Sequence, residues 1–148
     1  MKPTDRSTLF RTIRQAWSRS TSADPAGWTA SNPAWGQCAV TALVVQDALG
    51  GELVRTIVDY RSHYFNLLED GDEIDLTREQ FPVGAVASGR HVRDRRYVLS
   101  FPDTAYRYGV LKAAVGALDQ PGRGGPGRRR GKRPRAASAG LQATEVAG

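Results

Sequence analysis

The sequence predicts an α+β fold, a small antiparallel sheet packed against a central helix that carries Cys38 at its N-terminus. Three observations predict it. The helix breakers of Asn32-Pro33-Ala34-Trp35-Gly36-Gln37 run into the apolar stretch 39–49, which Gly50-Gly51 closes as a C-cap pair. Residues 52–58 alternate with the period of two that a strand requires, and residues 62–68 form a second, aromatic and apolar strand. Glu69-Asp70-Gly71-Asp72 then has the composition of a hairpin turn, with residues 73–77 returning as a third strand.

Each element has its own signature. Residues 7–20 carry Leu9, Phe10, Ile13 and Trp17 at the three-and-four spacing of an amphipathic packing helix, with Thr4 or Asp5 as N-cap. Residues 21–35, rich in Ser, Asp, Pro, Gly and Asn, read as an ordered loop anchored by Trp28 and Trp35. On the next helix Cys38, Ala42, Val45 and Leu49 share one stripe, so that helix is expected to be largely buried. After Phe81-Pro82 a Gly/Ala/Ser-containing stretch gives way to the basic residues Arg90, His91, Arg93, Arg95 and Arg96. Residues 97–101 read as a short strand. Residues 104–118 read as a closing helix with Tyr108, Leu111, Val115 and Leu118 inward.

Composition limits the alternatives. The chain has 148 residues, 40% of them hydrophobic, enough for one domain with its own core. Its net charge of +6 is unevenly placed: residues 1–119 hold 14 basic and 14 acidic side chains, whereas residues 120–148 hold 7 and 1. The domain expected over 1–119 is therefore electrically balanced, and basicity belongs to a tail at 120–148. From Gln120 to Arg135 that tail has no apolar residue to offset the entropy of ordering, so it is expected to be disordered. Its arginines, over 123–135, suit a nonspecific polyanion contact.

A single cysteine cannot form an intramolecular disulfide, and the first residues lack an apolar signal core. The expectation is a reducing, cytoplasmic setting. No run approaches the roughly 20 apolar residues of a membrane span. One cysteine and two histidines do not make a clustered zinc site, so neither a metal nor another cofactor is expected.

The chemistry lies in the order of three residues. Cys38 stands at a helix start, where unpaired N–H groups and the helix dipole favour a thiolate. His63 follows on the second strand and Asp75 on the third. Acyl transfer by cysteine needs those three types: a nucleophile, a base that returns its proton, and a group that holds the imidazole. An oxyanion site would draw on the Cys38 backbone N–H and on an amide such as Gln37 or Asn32, with Trp35 beside it as a further substrate contact.

Hairpin register tests the pair. With an even loop centred on Asp70-Gly71, residue i faces residue 141 minus i, and Asp75 falls on the face opposite His63. With a three-residue loop or a bulge the register moves by one. Asp75 then becomes a diagonal neighbour of His63, roughly 7–8 Å away along the backbone and within side-chain reach. The triad therefore requires an odd loop or a bulge near residues 69–72.

Taken singly, each residue has a plainer role: Cys38 as inert core, His63 as a hydrogen-bonded strand residue, Asp75 as a capping acid, His91 as a solvated surface group. The blocks from Asn32 to Asp47, Gly50-Gly51-Glu52-Leu53, Ser62-His63-Tyr64-Phe65-Asn66 and Asp75-Leu76-Thr77-Arg78-Glu79-Gln80-Phe81 resemble the small bacterial YunG-like proteins, over about residues 7–112. That resemblance implies a single-domain fold. More distantly, a cysteine on a helix followed by His and Asp on strands is similar to the transglutaminase-like and papain-like cysteine enzymes. Carried over, the similarity makes Cys38 the nucleophile, His63 the general base and acid, and Asp75 the orienting group. Asn32 stands six positions before the nucleophile, where the papain-like pattern has glutamine. The functional expectation is thus a cysteine-dependent acyl-transfer enzyme (amidase, deamidase, peptidase or transglutaminase-type) acting on an amide or acyl substrate. The alternative is a noncatalytic binding module tethered to a polyanion by its tail.

Overall fold

In the computed structural model, which describes residues 5–119, the chain order is α1 (Arg6–Ala16), α2 (Cys38–Leu49), β1 (Glu52–Val58), β2 (Arg61–Leu67), β3 (Glu73–Ile74), β4 (Ala87–Arg93), α3 (Arg95–Leu99) and α4 (Pro102–Leu118). The four strands form one antiparallel sheet in the order β3-β2-β1-β4. The α+β class and the place of Cys38, first residue of the central helix, are as the sequence predicts. The tail expected at 120–148 lies outside the described residues.

Helix α2 is the hub because it is apolar all round: Val40 to Val45 are all buried, and Leu43 is wholly so. It packs on β2 of the sheet and on α4. Ile13 and Trp17 from the N-terminal segment and Leu111 from α4 share its core with Leu68, Ile74 and Leu76. Its one buried hydroxyl, Thr41, accepts from Trp17 Nε1 at 2.9 Å, so no polar atom there is left unmet. Truncating Leu43 to alanine in such a setting costs about 2–5 kcal/mol.

Helix α1 stops at Ala16, earlier than the apolar spacing suggests. Trp17 and Ser18 turn extended, and Ser18 and Thr21 cap each other around a short 3-10 turn. Strand β1 has the expected bounds. It joins β2 through Asp59 and Tyr60, both at positive φ, the left-handed pair that a two-residue hairpin loop demands.

The second hairpin has the odd loop. Leu68 N–H donates to Asp72 O at 2.9 Å, enclosing only Glu69, Asp70 and Gly71. Gly71 takes φ 95°, and Asp70 Oδ1 accepts from Asp72 N–H at 2.9 Å. The resulting pairs, Asn66 with Ile74 and Leu67 with Glu73, extend to place Asp75 across from Phe65, on the face of His63.

Four further expectations are corrected. The third strand covers two residues rather than 73–77, because the chain leaves the ladder at Asp75 and Thr77 leads a 3-10 turn over Arg78–Gln80. Residues 97–101 are helical in part: Asp94 caps α3 by accepting from Arg96 N–H at 2.8 Å. Strand β4 lies in the Gly/Ala/Ser-containing and basic stretch for which the sequence suggested no element. It pairs with the outer edge of β1 across a bulge, and almost all of its side chains are exposed. On α4, Leu111 is buried as expected, but Leu118 is 49% exposed and Arg107 takes an inward place, bonded to Asp103 and to Thr21 O.

Candidate functional site around Cys38

The loop before α2 is a polar scaffold. Ser22 Oγ donates to Trp35 O at 2.8 Å, Ala23 N–H to Gly36 O at 2.8 Å and Trp35 Nε1 to Asp24 at 2.9 Å. Trp28 Nε1 donates to Pro33 O. Gly36 takes φ 75°, and a Cβ there would lie 2.3 Å from Ser22 Oγ, so only glycine fits. The first helical hydrogen bond runs from Thr41 N–H to Gln37 O. The N–H groups of Cys38, Ala39 and Val40 thus precede the ladder, at the positive end of the dipole.

Gln37 is fully buried, and its carboxamide is engaged at both ends. Nε2 donates to Ser18 O at 3.0 Å, and Oε1 accepts from Thr21 Oγ1 at 2.7 Å. An oxyanion role for Gln37 would require its amide to leave Ser18. Asn32 is half-buried, with its backbone bonded to Thr29 and Trp35. Trp35, also half-buried, has the Arg61 guanidinium 4.5 Å above its ring.

Cys38 is half-buried, and its sulfur lies 3.9 Å from Ser62 O on β2. The neighbouring His63 is completely buried. Its Nε2 lies 2.8 and 2.9 Å from the two Asp75 oxygens, and the Phe81 ring meets the imidazole edge-on at 5.1 Å. Nδ1 is buried without a hydrogen-bond partner. Burial, the largest influence, disfavours the imidazolium; hydrogen bonds and charge from Asp75 and Cys38 outweigh it and raise the pKa of His63 to about 9. The structure therefore pairs His63 with Asp75 and sets the Cys38 sulfur beside Ser62, the residue before His63.

Gln80 was not singled out from the sequence. Its Oε1 accepts from Gly36 N–H at 3.1 Å, and the next residue is the Phe81 that packs on His63. One amide thus ties the loop of the thiol to the segment of the carboxylate. Its other end, Nε2, is buried without a partner. Arg55 was also missed: its Nε donates to Ser62 Oγ at 2.9 Å, beside the carbonyl that faces Cys38. Strand alternation, with Arg55 opposite Tyr64, was the available signal. His91 is exposed on β4, across β1 from the His63 strand.

A cavity of about 420 Å³ is lined by Ile57, Tyr60, Pro82, Ala85 and Val86 with Asp59 and Ser88, and by none of Cys38, His63 and Asp75. Among the described residues no group of three or more His, Cys, Asp or Glu could hold a metal ion. Among the same residues no helix is long and apolar enough to cross a membrane.

Comparison with known proteins adds the lineage. A relative from Bacillus subtilis (strain 168), "Uncharacterized protein YunG", is 45% identical over 69 residues, covering 47% of this chain and 56% of that protein. The match thus spans little more than half of the relative's length. No solved structure matches. The protein-family model described as "YunG protein" matches residues 5–119, nearly all that the structure describes, and the chain belongs to that family.

Proposed function

We propose that the protein is a cysteine-dependent acyl-transfer enzyme acting on an amide or related acyl substrate. The observation that carries this reading is one imidazole held 2.8 Å from the Asp75 carboxylate, with the Cys38 sulfur 3.9 Å from the carbonyl of the preceding residue, Ser62. Asp75 fixes the ring through Nε2, which leaves Nδ1 for proton exchange with the sulfur and the leaving group. The ordered Cys, His and Asp, similar in arrangement to transglutaminase-like and papain-like enzymes, support the same reading.

In the proposed reaction the Cys38 sulfur attacks the carbonyl carbon and the carbonyl π electrons move to oxygen. The Cys38 N–H, in the first turn of α2, is placed to stabilise that oxyanion. Collapse expels the amine, which takes a proton from the His63 imidazolium, and a thioester remains on Cys38. Water or a second amine then gives its proton to His63 and attacks the thioester, which restores the thiol. A pKa of about 9 keeps His63 cationic near neutral pH. A reducing, cytoplasmic setting would keep this lone sulfur free.

The test is acetylation by the neutral ester p-nitrophenyl acetate, followed by intact mass and by nitrophenolate release. Expected is a rapid acetyl adduct on Cys38, slowed about 10²-fold or more in His63→Ala. An adduct that forms at the same rate in His63→Ala, or none in the native protein, would reject the mechanism.

A further inference from the structure

Antiparallel register places Arg55, Ser62, Tyr64 and Arg93 on one face of the sheet: Arg55 pairs with Tyr64, Ile57 with Ser62 and Leu53 with Arg93. Helix α2 covers that face over Leu53 and Asn66, with Asn66 donating to Ala42 O. The helix begins at Cys38, beside Ser62 O. Arg55 joins that face to the thiol, because its Nε donates to Ser62 Oγ at 2.9 Å and Ser62 O lies 3.9 Å from the Cys38 sulfur. Burial raises the pKa of Tyr64, and the charges of Arg55 and Arg93 oppose that rise.

That neighbourhood is cationic and lacks counterions. Among the described residues Arg6, Arg90, Arg95 and Arg107 each meet a carboxylate, whereas Arg55, Arg61 and Arg93 form no salt bridge. Arg55 bonds the Ser62 hydroxyl, Arg61 lies on Trp35, and Arg93 stands 5.7 Å from the Tyr97 ring centre. The Nε of Arg93 is moreover buried with no acceptor, an N–H of the kind folded proteins rarely leave unmet. The nearby carboxylates are engaged: Asp75 by His63, and Asp94 by the backbone of Arg96.

We infer that the substrate of Cys38 carries a carboxylate close to its reacting carbonyl, bound by Arg55 and Arg93, with Arg61 adding to the attraction. Planar guanidinium groups match a carboxylate in charge and geometry. The inference rests on the acyl-transfer reading, so its test is one that needs no turnover.

Iodoacetate and iodoacetamide alkylate the same sulfur and differ in a carboxylate, so the ratio of their rates cancels the reactivity of the thiol itself. In the native protein at low ionic strength the iodoacetate to iodoacetamide ratio should exceed that of the urea-unfolded chain by about tenfold. It should fall toward the unfolded value near 1 M salt, where screening acts within about 3 Å. Arg55→Gln and Arg93→Gln should each lower it about threefold, and Arg93→Lys, which keeps the charge, should retain most of it. A native ratio equal to the unfolded one, or a ratio unmoved by both glutamine variants, overturns the inference. If the neutral ester still acetylates Cys38, only the carboxylate assignment has failed. Silence toward every reagent overturns the acyl-transfer reading and this inference together.

Discussion

The segment that delivers Cys38 and the segment that delivers Asp75 reach the same imidazole by different means. The thiol side is a loop with little regular structure, fixed by side-chain hydrogen bonds: Ser22 to Trp35 O, Gln37 to Ser18 O, and Trp35 Nε1 to the Asp24 carboxylate. The carboxylate side is fixed by counting, since a three-residue hairpin loop decides which face of the sheet Asp75 joins. A polar scaffold tolerates little change at its close contacts. A register tolerates changes of side chain but not of loop length. Gln80, bonded to Gly36, joins the two.

The largest expected effect breaks the thiol side. Gly36→Ala combines left-handed backbone with a Cβ 2.3 Å from Ser22 Oγ and 2.8 Å from Ala23 N. Strain and overpacking together should cost about 3–4 kcal/mol in urea denaturation. Gly84→Ala, also at positive φ but in open space, should cost about 1 kcal/mol. Equal costs at the two glycines would mean that close packing of the loop contributes nothing.

A smaller effect sharpens the carboxylate side. Because the folded pKa of His63 lies above its unfolded value of about 6.5, the folded chain holds the extra proton between the two values. The stability gained from the pair is then fully present below pH 6.5 and lost as pH rises through about 9. Melting followed from pH 6 to 9.5 should show a decline of about 3 kcal/mol, and Asp75→Asn should flatten it. A native stability flat across that range would contradict the pairing.

The same contrast explains what the sequence made legible. Strand β1, the second hairpin and the apolar helix α2 follow from periodicity and turn composition, which are local. The odd loop was one of two stated options, and the hydrogen bond from Leu68 to Asp72 selects it. Strand β4 left no pattern because an edge strand with exposed side chains on both faces has no burial to alternate. Helix α3 did carry a signal, Asp94 as N-cap, which the apolar residues after it masked. At the site, residue types and chain order pointed to Cys38, His63 and Asp75. Gln80 and Arg55 escaped because their partners, Gly36 and Ser62, become neighbours only once loop and sheet are assembled. Gln37 carried the right amide for an oxyanion site, but its bonds to Ser18 and Thr21 exist only in the folded loop.

The most direct measurement is the titration of the His63 ring by NMR, assigned with a His63→Gln variant against the exposed His91. An imidazole bonded to Asp75 and influenced by Cys38 should change charge near pH 9, and lower in Asp75→Asn and in Cys38→Ser. A native midpoint at or below the ordinary value of about 6.5 would contradict the account, because burial alone would then govern the ring.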